Sequence, residues 1–275
     1  MDFVKHCQFK NYYYALTYLY VTIKQINTPH DLDGIEMLFI GDNFYSKHKA
    51  ILNQKGFIET CNNNRIRVVI FVSEKIVTEI FPEAELEFYL LLNKINDLHC
   101  YTYDIDDCAK YGTKLHRLCM SRHYKDSIDP NLQGKSDKII FLGSKDGEFY
   151  KDRRNTIFQM MDIMDVDVIK PNGRTWEAYM SILSSYRFVL SPMGNANALV
   201  TRFYETLLVR SIPVQQLKNN TLNYYDIESG FNDCIYFQDV KELPDKIKNF
   251  SLEHSYSEIW LEDYLSKLLK EDGLL

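Results

Sequence analysis

The sequence predicts an α/β protein made of two Rossmann-like units. Three observations lead there. Apolar runs of strand length, each ended by Gly, Ser, Asp or Asn, alternate with stretches of helical spacing along the whole chain. The runs are continuous, as in IEMLFIGDN, RVVIFV, KIIFL and YRFVL, which is the pattern of parallel strands covered on both faces. Finally, 275 residues and 32.5 kDa leave room for two cores of modest size.

Residues 11–26 show roughly helical spacing, with Tyr12, Tyr13 and Tyr14 read as packing groups. Residues 35–43 read as a buried parallel strand, an apolar run ended by Gly41, Asp42 and Asn43 and feeding a loop. A helix is expected over 44–56, then a strand from Arg67 to Val72 with Ser73 and Glu74 at its end. Open parallel sheets place ligands beyond the strand C-termini, so Asp42 and Glu74 are the candidate catalytic carboxylates, with His123 a more distant one. Residues 83–95 read as a helix and His99–Tyr103 as a strand. The cluster Asp104, Asp106 and Asp107 then follows, either a solvated turn or helix cap or a D-x-D cation site. The D-x-D spacing recurs at Asp165 and Asp167, and the cap reading is preferred.

Between Arg117 and Gly134 the periodicity fades, which predicts an interdomain linker. The expected organisation is a first Rossmann-like domain over 1–130, a second over 131–250, and a terminal helix over 251–275. Lys138 to Leu142 is a strand ending in Gly143 and Ser144, followed by a helix over 152–164 that opens on Arg153 and Arg154. A short strand at 166–169 and a helix at 175–184 come next. The stretch 186–216 is the most informative: strand, loop with Ser191, Pro192, Gly194 and Asn195, helix from Thr201 with Thr201 as N-cap, then strand from Ile212. Arg202 and Glu205 fall one helical step apart in its first turns. A helix N-terminus with an arginine beside it suits a diphosphate, and the glutamate suits vicinal hydroxyls such as those of a ribose. The same spacing also suits an ordinary surface ion pair. Downstream, Ile235–Phe237 reads as a last strand, and 239–249 and 256–270 as helices, the latter amphipathic.

Strand, P-x-G loop, R-F-Y-E and I-P-V together resemble the donor-binding segment of exostosin-like glycosyltransferases. The matching residues are Ser185, Phe188, Leu190, Pro192, Gly194, Arg202, Phe203, Glu205, Leu207, Ile212, Pro213 and Val214. Ser211 departs from the family pattern by standing where a glycine precedes I-P-V. The strand, Gly143–Ser144 loop and arginine-led helix likewise resemble the start of the donor domain in many GT-B enzymes. The resemblance implies a GT-B-like fold, two Rossmann-like domains facing each other across a cleft, with the terminal helix packing back toward the first. It also implies a glycosyltransferase: the arginine on the donor diphosphate, the glutamate on the ribose, a nucleotide sugar linked to UDP or GDP as donor, and a glycan as acceptor.

Donor-binding candidates are therefore Gly143, Ser144, Arg153, Arg154, Ser191, Pro192, Gly194, Asn195, Arg202 and Glu205. No cofactor and no metal are expected, because arginines stand where a cation would neutralise the leaving phosphates. A nucleotide-sugar-binding scaffold without turnover and a phage DNA-modifying enzyme are the alternatives.

Composition narrows this further. A net charge of −6 without a block of Lys and Arg argues against a broad nucleic-acid footprint. Six scattered cysteines without a C-x-x-C pair argue against zinc or a disulfide scaffold. The charge-interrupted N-terminus reads as neither signal peptide nor membrane span, so a cytoplasmic location is expected. Richness in Lys, Asn, Ile and Tyr fits an AT-rich genome, viral or bacterial.

Overall fold

The computed structural model describes residues 32–43, 52–72, 82–127, 134–144, 151–170, 173–194, 196–218, 233–251 and 260–275. Its contacts divide the chain into two units, Met1–Arg117 and Leu118–Leu275.

The first unit carries a four-stranded sheet in chain order: β1 (Met37–Asn43), β2 (Arg67–Val72), β3 (Leu98–Thr102) and β4 (Lys114–Leu115). All neighbours pair in parallel. Val68, Val69, Ile70, Phe71 and Val72 of β2 are all buried, as expected for a central parallel strand. One face packs on α1 (Phe57–Asn63) and α2 (Pro82–Leu92) through Phe57, Cys61, Phe88 and Leu92. The helix expected over 44–56 lies largely outside the described residues, and α1 starts after it, entered through Gly56 at φ 79°. Gly41–Asn43 close the strand expected over 35–43. They remain in β1, where Gly41 and Asp42 sit between the pairs Ile40–Ile70 and Asn43–Val72 and make a bulge.

Asp104 follows β3 as N-cap of α3 (Ile105–Tyr111). Its Oδ1 accepts from the amides of Asp106 at 2.9 Å and Asp107 at 3.1 Å. The first D-x-D is thus a helix cap, the preferred of the two readings. At the C-terminal end of β4, fully buried His116 ties three strands together. Its amide bonds Thr102 O at 2.9 Å, and its Nε2 lies 3.0 Å from Val72 O.

The second unit carries five parallel strands: β5 (Ser136–Leu142), β6 (Val166–Ile169), β7 (Tyr186–Ser191), β8 (Ile212–Gln216) and β9 (Ile235–Phe237), in the order β6-β5-β7-β8-β9. The helices are α4 (Lys151–Met161), α5 (Trp176–Ser184), α6 (Thr201–Leu208), α7 (Leu243–Lys248) and α8 (Leu261–Glu271). Ile139, Phe141, Phe188, Leu190, Ile212 and Val214 form one core cluster with Ile157 and Met160 of α4 and Leu243 of α7. Met180, Leu183, Phe203 and Leu207 on α5 and α6 are buried as well. The chain moves from β5 outward to β6 and then back past β5 to β7. Right-handed crossovers in opposite directions put their helices on opposite faces, so the sheet is doubly wound with its switch point between β5 and β7.

Several local devices hold α5 and α6 in place. Thr175 caps α5, its Oγ1 accepting from Ala178 N. The expected cap of α6 is corrected: Thr201 is the first helical residue, and Val200 precedes it without a side-chain bond. At the opposite ends of these helices the Lys135 ammonium donates to Ser184 O at 2.7 Å, Val209 O at 3.1 Å and Ser211 Oγ at 2.9 Å. A cation on two helix C-termini is the favourable sign for their dipoles. Fully buried Ser211 also lies 2.8 Å from Tyr186 O, which gives its hydroxyl work that a glycine cannot do. The left-handed residue of this turn is Arg210, at φ 52°.

Of the segment expected as a linker, residues 118–127 are held against α8. Met120 bridges Trp260, and Glu262 of α8 accepts from Ser121 Oγ and, at 3.0 Å, from Arg122 N, so α8 belongs with the 118–127 segment. Among the described residues no helix is long and apolar enough to cross a membrane.

Candidate functional site

The C-terminal ends of β5 and β7 flank the switch point, and each feeds a short loop: Gly143–Ser144 after β5, Pro192–Gly194 after β7. The loops are drawn together by side chains. Arg153, in the first turn of α4, donates from Nη1 to Ser144 O at 3.3 Å, while its Nη2 occupies the space a β-carbon on Gly194 would need, 2.6 Å away. Arg202, in the first turn of α6, rests its guanidinium 4.9 Å above the Phe141 ring. Its Nη2 would lie 2.5 Å from a β-carbon on Gly143. Both glycines are therefore there for close approach by an arginine, and neither has a left-handed backbone.

Two cationic forks thus meet at adjacent residues of one loop. The Arg202 Nε is buried without a hydrogen-bond partner, and its charge acts on the Glu205–Tyr179 pair. The surface-pair alternative for Arg202 and Glu205 fails on geometry. Glu205 is only 6% exposed, and its Oε2 accepts from the Tyr179 hydroxyl of α5 at 2.8 Å. Burial pushes the Glu205 carboxyl up from its ordinary value; the Tyr179 hydrogen bond and the Arg202 charge oppose that. Burial, and then the Glu205 charge, push the Tyr179 phenol well up, so it remains a donor at any physiological pH.

Around this centre the loop after β7 is almost wholly buried. Met193 N donates to Gln216 Oε1 at 3.1 Å, and Thr156 of α4 donates to the same oxygen at 3.2 Å, so the end of β8 fixes the loop to α4. Ser191 and Gln215 are register partners at the ends of β7 and β8. Each is fully buried, and Ser191 Oγ and Gln215 Oε1 have no hydrogen-bond partner among the described residues. Buried polar atoms are satisfied in the great majority of cases. Orphaned ones beside a switch point mark where a ligand or water supplies the missing bonds.

Of the sequence candidates, Gly143, Ser144, Arg153, Gly194 and Arg202 come together here, with Ser191, Pro192 and Glu205 next to them. Arg154 is half-buried and has no partner among the described residues, so of the two arginines opening α4 it is Arg153 that reaches the loops. Asn195, Glu74 and the Asp42 side chain lie outside the described residues. His123 is exposed and packs edge-on against Tyr124. The second D-x-D is engaged in pairing: Asp165 with Lys138 at 2.7 Å, Asp167 with the Tyr186 hydroxyl at 2.7 Å. Among the described residues no group of three or more His, Cys, Asp or Glu is arranged to hold a metal ion. Sequence reasoning missed Tyr179, Gln215 and Gln216. The Gln-Gln pair ending a buried apolar strand was a usable signal, since amides there need partners, whereas Tyr179 looked like one more helix aromatic.

Fold and site together define an open, doubly wound parallel α/β unit with two arginine side chains brought to the loops at its switch point. No family model matches the chain, and no curated protein matches it. Among solved structures it is similar to a crystal structure of an alpha1,3-fucosyltransferase, with 13% identity, 97% of this chain and 87% of that chain covered, and a TM-score of 0.41. None of these comparisons shows a family for the chain.

Proposed function

We propose that the second unit binds the diphosphate of a nucleotide sugar and that the protein transfers the sugar to an acceptor hydroxyl, a glycan being the preferred acceptor. The observation that supports this reading is the convergence of the Arg153 and Arg202 guanidinium groups on the two glycine-bearing loops that flank the switch point. Guanidinium forks match phosphate oxygens bidentately, and ligands of open α/β sheets bind at this position. Glu205 lies one helical step from Arg202, and in this reading it takes the ribose hydroxyls.

In the reaction so read, the acceptor oxygen bonds to the anomeric carbon as that carbon's bond to the β-phosphate oxygen breaks. The hydroxyl proton passes to a base, for which Asp42 and Glu74 are the sequence candidates, and the nucleoside diphosphate leaves with the added negative charge. Arg153 and Arg202 meet that charge where it grows, and such electrostatic stabilisation takes the place of a divalent cation. A single displacement of this kind inverts the anomeric centre.

Calorimetry with UDP, GDP, CMP and ADP, followed by transfer assays with the matching sugar nucleotides, tests the proposal. Binding of a nucleoside diphosphate that Arg202→Ala weakens is the expected result. Full retention of affinity in that variant overturns the site, and binding without turnover on any acceptor leaves a donor-binding scaffold.

A further inference from the structure

Glu205 is held from one side only. Its Oε2 accepts from Tyr179, and no hydrogen bond to Oε1 is found among the described residues. The carboxylate is buried and the tyrosine half-buried. Tyr179 stands on α5 and Glu205 on α6, so the bond spans two helices whose C-termini are pinned by the single ammonium of Lys135. Behind the phenol, the Trp176 ring lies nearly parallel at 6.0 Å and is itself buried, which restricts how Tyr179 can turn. Arg202 supplies the second group acting on the pair, and it lowers the proton affinity of both Tyr179 and Glu205. A buried carboxylate fixed by one oxygen, with the other lacking a protein donor, is an acceptor prepared for a ligand hydroxyl.

Resting on the nucleotide-sugar reading, we propose that Tyr179 is a positioning residue: it clamps Glu205 through one oxygen so that the other meets the ribose diol, and the site thereby distinguishes ribonucleoside from 2′-deoxyribonucleoside diphosphates. Tyr179 touches no reacting atom in this arrangement. It acts through Glu205, and its loss leaves the carboxylate without the bond that fixes its orientation.

The test is calorimetry on the full chain with UDP, GDP, their 2′-deoxy counterparts and inorganic pyrophosphate, for wild type and Tyr179→Phe. Wild type is expected to prefer the ribonucleotide by about tenfold, the usual worth of a hydrogen bond to a charged group. In Tyr179→Phe that preference should collapse to about twofold or less while pyrophosphate affinity holds. Glu205→Gln keeps an acceptor for Tyr179 but loses the carboxylate. It should lose the preference too, and it carries the test if the tyrosine variant does not fold. An unchanged preference in both variants overturns the positioning role and leaves the diphosphate seat standing. Parallel loss of nucleotide and pyrophosphate affinity also overturns it, by showing general damage. Failure of wild type to bind UDP, GDP or pyrophosphate overturns the nucleotide reading itself.

Discussion

The guanidinium of Arg202 lies 4.9 Å above the ring of Phe141, a residue of the second unit's core, so the charge is aimed by the sheet itself. Planarity matters here, because a guanidinium stacks and presents parallel N–H groups, whereas an ammonium is a point charge. Arg202→Ala should cost about 1.5–3 kcal/mol of nucleoside diphosphate binding, tenfold or more. Arg202→Lys should recover only part of it. Calorimetry beside thermal melts checks this, and a lysine variant that binds as wild type does would remove the stacking argument.

Gly194→Ala and Gly143→Ala should separate binding from folding. A β-carbon on Gly194 meets only the flexible end of Arg153, which can swing aside. That variant should melt as wild type does while losing donor affinity. On Gly143 the new carbon would also lie 2.9 Å from Cζ of the fully buried Phe141 ring, so stability should fall too, by about 1–3 kcal/mol. Equal melting temperatures for the two variants would contradict the geometry.

Burying Glu205 should cost stability near neutrality. Its pKa in the folded state is raised, so the folded protein binds the proton more readily than the unfolded chain does in the window above the ordinary carboxyl value. Stability therefore falls as pH rises through that window. Glu205→Gln should raise the melting temperature at pH 7 to 8, and its advantage should shrink toward pH 4. A variant less stable than wild type at every pH would show that what the carboxylate charge gains from Tyr179 and Arg202 outweighs the burial cost.

His116 works in the opposite direction. Burial holds it down to about 4 from 6.5, so the folded chain keeps it neutral while the unfolded chain takes up a proton. Its contribution is complete above pH 6.5 and is lost as pH falls toward 4, by about 3 kcal/mol at 1.36 kcal/mol per unit. Urea titrations of wild type and His116→Gln should show a difference that narrows by that amount between pH 7 and pH 4. A constant difference would mean the imidazole takes up its proton as readily in the folded chain as in the unfolded one.

If the proposed transfer is right, chelation should leave most activity in place, since in that reaction Arg153 and Arg202 meet the leaving diphosphate. Loss of all activity with EDTA and its return with manganese would require a cation site that the two arginines do not replace.

Much of the second unit was legible because its signals are local. KIIFL, YRFVL and IPVQQ are apolar runs bounded by turn residues, and they fold as β5, β7 and β8 within two residues of the expected ends. The first unit was less so. Gly41–Asp42–Asn43 has loop chemistry yet stays in β1, because a bulge opposite Phe71 lets the ladder continue to Asn43. Thr201 has cap chemistry yet is already helical, because the turn is made by the buried residues ahead of it.

By itself, the sequence determined the longer strands though not β4, that they run parallel, and that Arg202 and Glu205 share one turn of a helix, because each depends on spacing along a few residues. Only the tertiary structure decided that Arg153 of one crossover and Arg202 of another serve the same loop, that Tyr179 holds Glu205, and that Ser191 and Gln215 lie side by side. Those relations depend on strand order. The placement of β7 beside β5 rather than β6 follows from the packing of whole helices on a twisted sheet, for which no short stretch of chain carries the instruction.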